Sequence, residues 1–301
     1  MKRTDITERI SYVEPDSMGN FQSCAGLIVK GERTFFVDVS LGREDTGLLL
    51  DSERPDVAVA THYHVDHVHW FGQASEVEGL DLYAPEGEAE ALTDIDNFVA
   101  RTAGAYGLGD LWHEMLVNQV GFKAVESVRP YTADSNLFND GQIRIEAIPT
   151  PGHSPGHTSI YLPEDKVLFC GDMGGDKFGP WYGWEDCDLL AFVESIMRLR
   201  ALPVDLLLTS HGGICRENID QLWRTGLEMI GAREKKIDLA LLSGMSKAQI
   251  LEEGVFYPNK SKLKGAMRTL IEVIDEAIYE KHLKILQAGG LGAAVPDAFG
   301  L

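Results

Sequence analysis

The chain has 301 residues and a mass of 33.2 kDa, with 47 Asp+Glu against 27 Lys+Arg and a formal net charge of −20. That length allows one large domain or two small ones with a substantial core, and 44% hydrophobic with 25% charged residues excludes the disordered class. The acidity disfavours nucleic acid and anionic membrane surfaces, both of which are met by clustered Lys and Arg.

The segment Met1–Arg9 has no apolar stretch behind its basic residues, so no export signal is expected, and no run approaches the ~18 apolar residues of a membrane span. The four cysteines (Cys24, Cys170, Cys187 and Cys215) form no CxxC pair and read as reduced thiols of a cytoplasmic protein, with Cys24 and Cys170 as core residues. Gly26–Lys30 and Thr34–Val39 are β-rich runs separated by the hairpin signal Gly31-Glu32-Arg33. Asp56–Thr61 predicts a further apolar strand. A helix through Trp70 to Val77, a strand at Leu80–Ala84 and a helix near Pro85–Leu92 are expected next. Residues 94–119 carry helical spacing broken by Gly104, Gly107 and Gly109 and read as a helical insertion. Strands resume at Ile143–Ile148, Thr158–Leu162 and Val167–Cys170, followed by a helix at Leu189–Leu199 and a strand at Val204–Thr209. Residues 219–287 are helical in pattern, with breaks at Gly244-Met245-Ser246, where Ser246 is the expected N-cap, and at Tyr257-Pro258-Asn259. The Gly/Ala-rich tail 288–301 is expected to be mobile or laid across the surface. Strands, helices, strands and a helical end suit an α/β protein with a C-terminal appendage better than two independent domains. The expected division is 1–218 for the catalytic part, 219–287 for a helical cap and 288–301 for the tail.

The stretch His62-x-His64-x-Asp66-His67 concentrates metal-binding groups directly after a buried strand. In extended backbone His62 and His64 point to the same side and can reach one ion, while Asp66 and His67, where the chain turns into a helix, can serve a second. Three weaker elements follow in order. Thr150-Pro151-Gly152-His153-Ser154-Pro155-Gly156-His157 is a punctuated turn presenting a His between strands, Phe169-Cys170-Gly171-Asp172 ends an apolar strand on a carboxylate, and Leu206–Thr209 leads to Ser210-His211. Singly each is weak; four such strand-end sites in one chain are jointly strong.

In these residues the chain resembles the metallo-β-lactamase superfamily of binuclear metallohydrolases, whose signature is HxHxDH, a Gly-His in a TPGH turn, an Asp after a strand and a late strand-end His. The match runs from about Cys24 to Gly213. The resemblance implies an αββα four-layer sandwich with the metals at the sheet edges. It implies that His62, His64 and His153 hold one ion, that Asp66, His67 and His211 hold the other, and that Asp172 bridges. His157 is expected to pack or hydrogen-bond nearby. Zinc suits seven ligands of mixed N and O type, and iron and manganese accept much the same set.

Departures and surroundings narrow the branch. Where the family's acyl-homoserine lactonases carry a carbonyl-polarising Tyr, three positions after the bridging Asp, this chain has Gly175, which argues against lactonase activity. Phe178, Trp181, Tyr182 and Trp184 stand in a Gly-rich stretch and read as an apolar pocket wall or as loop packing, with Asp176 near enough in sequence to line the site. His69 reads equally as a substrate-facing group, a support behind the ligands or a helix-surface His. The insertion and the helical end could roof the site and are similar to those of the thioesterase-like members and glyoxalase II. Residues 231–284 carry 10 Lys+Arg against 8 Asp+Glu, so the acidity belongs to the rest of the chain. Within them Lys260, Lys262, Lys264 and Arg268 form either a solvated helix face or an attraction for an anionic substrate tail. The resemblance thus implies a cytoplasmic hydrolase in which two divalent ions share a hydroxide that attacks a small carbonyl ester, in the first place a thioester, with Asp66 and Asp172 orienting the nucleophile. The expected partner is a small-molecule substrate, with no nucleic acid or membrane and a homodimer left open. The competing readings are a small phosphodiesterase or lactonase on the same ions, an iron-dependent redox enzyme, and a regulatory binder.

Overall fold

The period-two alternation of the β-rich runs sorts each strand's side chains onto two faces, and both faces find a partner. The computed structural model describes residues 1–16, 22–133, 136–139, 141–258 and 260–299, so Asn259 and the tail residues 300–301 lie outside it. Seven strands form one sheet in sequence order: β1 (Lys2–Asp5), β2 (Ile10–Glu14), β3 (Gly26–Lys30), β4 (Thr34–Val37), β5 (Val57–Val59), β6 (Asp81–Pro85) and β7 (Arg129–Tyr131). A second sheet has the order β13-β12-β11-β10-β9-β8. Its strands are β8 (Asn136–Asn139), β9 (Arg144–Pro149), β10 (Thr158–Leu162), β11 (Val167–Phe169), β12 (Leu206–Thr209) and β13 (Gly213–Cys215). Leu27, Val29, Phe35, Val37, Val57 and Val59 of the first sheet pack against Ile145, Ala147, Ile160, Leu162, Phe169 and Leu208 of the second in a core of their own. The alternate residues Ile28, Phe36 and Ala58, and Tyr161, Leu168 and Leu207, point outward and lie under helices. This is the expected four-layer αββα sandwich, and burial on both sides explains why its central strands read as continuous apolar runs.

The differences from the sequence expectation lie at edges and boundaries. β1, β7, β8 and β13 carry too few apolar residues for a periodicity to show, and β7 contains Pro130. β2 was not expected either, although Ile10, Tyr12 and Val13 are fully buried. The helix expected through Trp70–Val77 is two short pieces, Val65–Val68 and Phe71–Ala74, and the one near Pro85–Leu92 is confined to Ala89–Thr93. Residues 95–120 are helical, in four short segments separated where Gly107 adopts φ 75° and Thr102 breaks the turn. At the C-terminal end stand the helices Ile219–Leu242, Lys247–Glu253 and Gly265–Gln287. Ser246 caps the second of these in a reciprocal capping box with Gln249. The tail folds into Leu291–Ala294 and Pro296–Phe299, with Leu291 buried and its amide donated to Glu234 at 2.9 Å. Among the described residues no helix is long and apolar enough to cross a membrane.

Candidate metal centre

Strand ends deliver the chemistry. His62, His64 and His67 follow β5, His153 lies in the turn between β9 and β10, Asp172 follows β11, and His211 follows β12. These side chains meet in two groups, His62 with His64 and His153, and Asp66 with His67, Asp172 and His211; within each group one potential ligand atom per residue lies within 4.8 Å of the others. All seven predicted ligands are therefore brought together. Asp172 spans the groups: its Oδ1 is 3.1 Å from His67 Nε2, and its Oδ2 is 3.4 Å from His153 Nε2 and 3.5 Å from His211 Nε2. Asp66 Oδ2 lies 3.0 Å from His211 Nε2.

Hydrogen bonds behind the cluster set the tautomers. Asp38, just after β4, accepts from Thr61 N at 2.8 Å, from Thr61 Oγ1 at 2.6 Å and from His67 Nδ1 at 2.7 Å. Since the Thr61 hydroxyl is committed to the carboxylate, it accepts from His62 Nδ1 at 3.0 Å. His153 Nδ1 donates to the Trp181 carbonyl at 2.8 Å. With each of these Nδ1 atoms engaged by its partner, Nε2 is the nitrogen left to face the cluster and take a metal ion. The Nε2 atoms of His62, His64, His67 and His153, and Asp172 Oδ1, are buried without a hydrogen-bond partner. Five orphaned ligand atoms converging on one place, four of them ring nitrogens, fit divalent ions of the zinc, iron or manganese type and would be costly otherwise. His157 is not one of them. Its Nε2 accepts from the Asp172 backbone amide at 3.2 Å, and its Nδ1 donates to Thr150 Oγ1 at 2.8 Å. It supports the loop of Asp172, as expected.

The two groups differ electrostatically. Burial, reinforced by neighbouring imidazoles, holds His62 and His64 well below the usual histidine range. Burial also lowers His153, with Asp172 opposing. In the second group burial is outweighed: Asp172 and Asp66 hold His211 well above its ordinary value, and His67 and His211 hold Asp172 well below the carboxylate range. Burial pushes Asp176 up to about 7, with Asp172 and Asp66 adding to it and His211 opposing. Asp176, like Asp66 and His211, is only partly exposed.

The aromatic stretch separates into different roles. Trp181 lies against His64 and His153, with ring centroids 5.7 and 5.6 Å away, and its Nε1 donates to Tyr257 Oη at 2.7 Å. Trp184 is buried against Trp112 and Tyr106 of the insertion. Tyr182 is fully buried, 2.8 Å from His282 Nε2, and Phe178 is 76% exposed. Both appendages thus meet on the loop 178–187: Tyr106 Oη donates to the Gly183 carbonyl at 2.8 Å, and buried Arg233 of the helix Ile219–Leu242 donates to the carbonyls of Pro180 (2.6 Å) and Phe178 (2.8 Å). His69 is half-buried and hydrogen-bonded to backbone of Gln22 and Val120. Lys260 is buried in an ion pair with Asp275 at 2.6 Å, and Arg268 pairs with Glu272 at 2.8 Å. Lys262, Lys264 and Arg268 lie on the open surface, Arg268 within its surface ion pair. Gly175 sits at φ 92°, and a Cβ there would meet Thr209 at 2.8 Å, so the position expected of a lactonase tyrosine has no room for a side chain.

Two buried carboxylates that the sequence reading did not single out, Asp38 and Glu88, support this arrangement. Asp38 had a usable signal, since it ends an apolar strand on a carboxylate just as Asp172 does. Glu88, in Glu86-Gly87-Glu88, had none.

Comparison with known proteins agrees with this geometry. The metallo-beta-lactamase superfamily model matches residues 18–220. The chain is 27% identical over 154 residues to a hydroxyacylglutathione hydrolase from Brucella anthropi, covering 50% of this chain and 44% of that protein. It is 31% identical over 167 residues to an acyl-coenzyme A thioesterase from Homo sapiens, covering 49% of this chain and 56% of that one. The match thus spans about half the length of these curated relatives. Among solved structures, a beta-lactamase domain protein from Burkholderia ambifaria superposes with a TM-score of 0.71 at 18% identity, over 95% of this chain and 88% of that one. A metallo-beta-lactamase family protein from Thermus thermophilus gives 0.65 at 22% identity, over 88% and 89%. At those identities the likeness speaks for the fold alone.

Proposed function

The chain belongs to the metallo-beta-lactamase superfamily, and from that premise we propose that it is a hydrolase of small thioesters dependent on two divalent metal ions. His62, His64 and His153 would hold one ion and Asp66, His67 and His211 the other, with Asp172 shared. The observation that carries the reading is the set of unpartnered Nε2 atoms of four buried histidines facing an unpartnered Asp172 Oδ1. Such ions supply Lewis acidity and an activated water at neutral pH, with zinc the first choice. The protein's own part is orientation. Asp38, Thr61 and the Trp181 carbonyl hold His67, His62 and His153 in the tautomer that faces inward. Asp176, four residues beyond Asp172, is the candidate to line the substrate side of the site. Trp181 places an apolar face beside the first group, which suits an acyl chain, and the relatives' names both describe an acyl group leaving a thiol.

The test is metal analysis of the purified protein followed by a panel of thioesters, lactones, phosphodiesters and β-lactams, before and after chelation. Two equivalents of metal with chelator-sensitive thioester turnover are expected. Two equivalents with turnover of none, or of phosphodiesters alone, would overturn the thioesterase reading.

A further inference from the structure

Glu88 lies beyond β6, remote in sequence from every ligand, and is fully buried. Its Oε2 accepts the amide of Tyr63 at 2.9 Å, and its Oε1 accepts the amide of Gly156 at 2.7 Å. Tyr63 stands between His62 and His64, and Gly156 closes the turn that carries His153. One carboxylate therefore joins the turn of His153 to the loop of His62 and His64, at the residue between those two, with Asp66 and His67 following further along the same loop; neither hydrogen bond is made to the loops of Asp172 or His211. The fit is close: a Cβ on Gly156 would meet Glu88 Cδ and Cγ at 2.9 Å. Burial pushes the Glu88 carboxyl up to about 7, and its charged form, accepting both backbone amides, fixes the two loops against each other more firmly than neutral contacts do; ligand separation is the quantity an ion senses.

We propose that Glu88 is a positioning residue that sets the spacing of His62 and His64 against His153 and so tunes the first metal position selectively. This rests on the metal-site reading above. A glutamine in its place could accept one amide but would turn its NH₂ toward the other, donor against donor.

The experiment titrates metal-free protein with zinc against a chromophoric chelator, in wild type, Glu88→Gln and Gly156→Ala. Gly156 has no positive φ, so alanine there displaces the carboxylate without touching its charge. In each variant one zinc equivalent is expected to weaken about 10- to 100-fold while the other stays within about threefold. In a His153→Ala background, where the second group alone remains complete, adding Glu88→Gln should leave the remaining affinity unchanged. Near-UV circular dichroism of the metal-free proteins checks folding, and Gly156→Ala carries the test if Glu88→Gln does not fold. Equal weakening of both equivalents, or of neither, overturns the inference. A wild-type protein that takes up fewer than two equivalents counts instead against the metal-site reading itself.

Discussion

The two ligand groups share one stretch of chain, yet they solve the problem of unpaired charge in opposite ways. The first is three imidazoles without a carboxylate of its own, and burial keeps it neutral, as the depressed His62 and His64 show. The second mixes two carboxylates with two imidazoles that balance one another, so His211 is raised and Asp172 lowered. A neutral group has no internal attraction to gather it, so its geometry must be imposed by the fold. That is where the supports concentrate: Thr61 behind His62, the Trp181 carbonyl behind His153, and Glu88 between the loops. The second group is partly self-assembling, and Asp38 braces it directly through His67.

The contrast breaks most severely at Asp172, which touches both groups. Asp172→Asn should lower kcat/KM on a responsive thioester about 10³-fold; retention of wild-type turnover with both metals bound would remove Asp172 from the shared position. Asp38→Asn is next. Because Asp38 holds His67 directly and His62 through Thr61, zinc titration should show both equivalents weakened, the second by about 10- to 100-fold and the first by less. The reverse order would show that the relay through Thr61 outweighs the direct bond. Arg233→Ala tests the support from the C-terminal helices, since it removes a buried cation bonded to the Phe178 and Pro180 carbonyls just ahead of Trp181. Denaturant unfolding should report a loss of about 2–3 kcal/mol, and the first zinc equivalent should weaken only a few-fold, by about 1 kcal/mol at most.

The smallest effect concerns pH. Burial, with Arg233 adding to it, depresses His282 to about 3, far below its unfolded value of about 6.5. Between those values the unfolded chain binds the proton and the folded one does not, so stability is present above about pH 6.5 and falls as the pH drops towards 3. His282→Gln should flatten that part of the stability curve relative to wild type in metal-free protein; an unchanged slope would place the acid sensitivity in the ligand histidines alone.

The residues of the two candidate metal-binding groups were legible because imidazoles and carboxylates are concentrated in short motifs whose spacing survives without the fold. The order of the central strands was legible for a similar reason: Leu27, Ile28 and Val29 read as a continuous apolar run because both faces are covered. Edge strands such as Lys2–Asp5 and Arg129–Tyr131 expose what central strands bury, and their composition resembles loop. Phe178, Trp181, Tyr182 and Trp184 look alike in sequence, whereas exposure separates Phe178 from Tyr182 completely. Lys260 could not be told from its neighbours Lys262 and Lys264, because its partner Asp275 lies on another helix.

By itself, then, the sequence determined the residues able to bind metal, their grouping into an early loop and three later strand ends, and the layered α/β plan. It did so because side-chain chemistry and period-two burial are local properties. Only the tertiary structure decided which nitrogen of each histidine faces inward, that Asp38 and Glu88 stand behind the ligands, and that insertion and C-terminal helices meet on the loop of Trp181. Those depend on contacts between residues tens to hundreds of positions apart, and no local pattern encodes a distance of that kind.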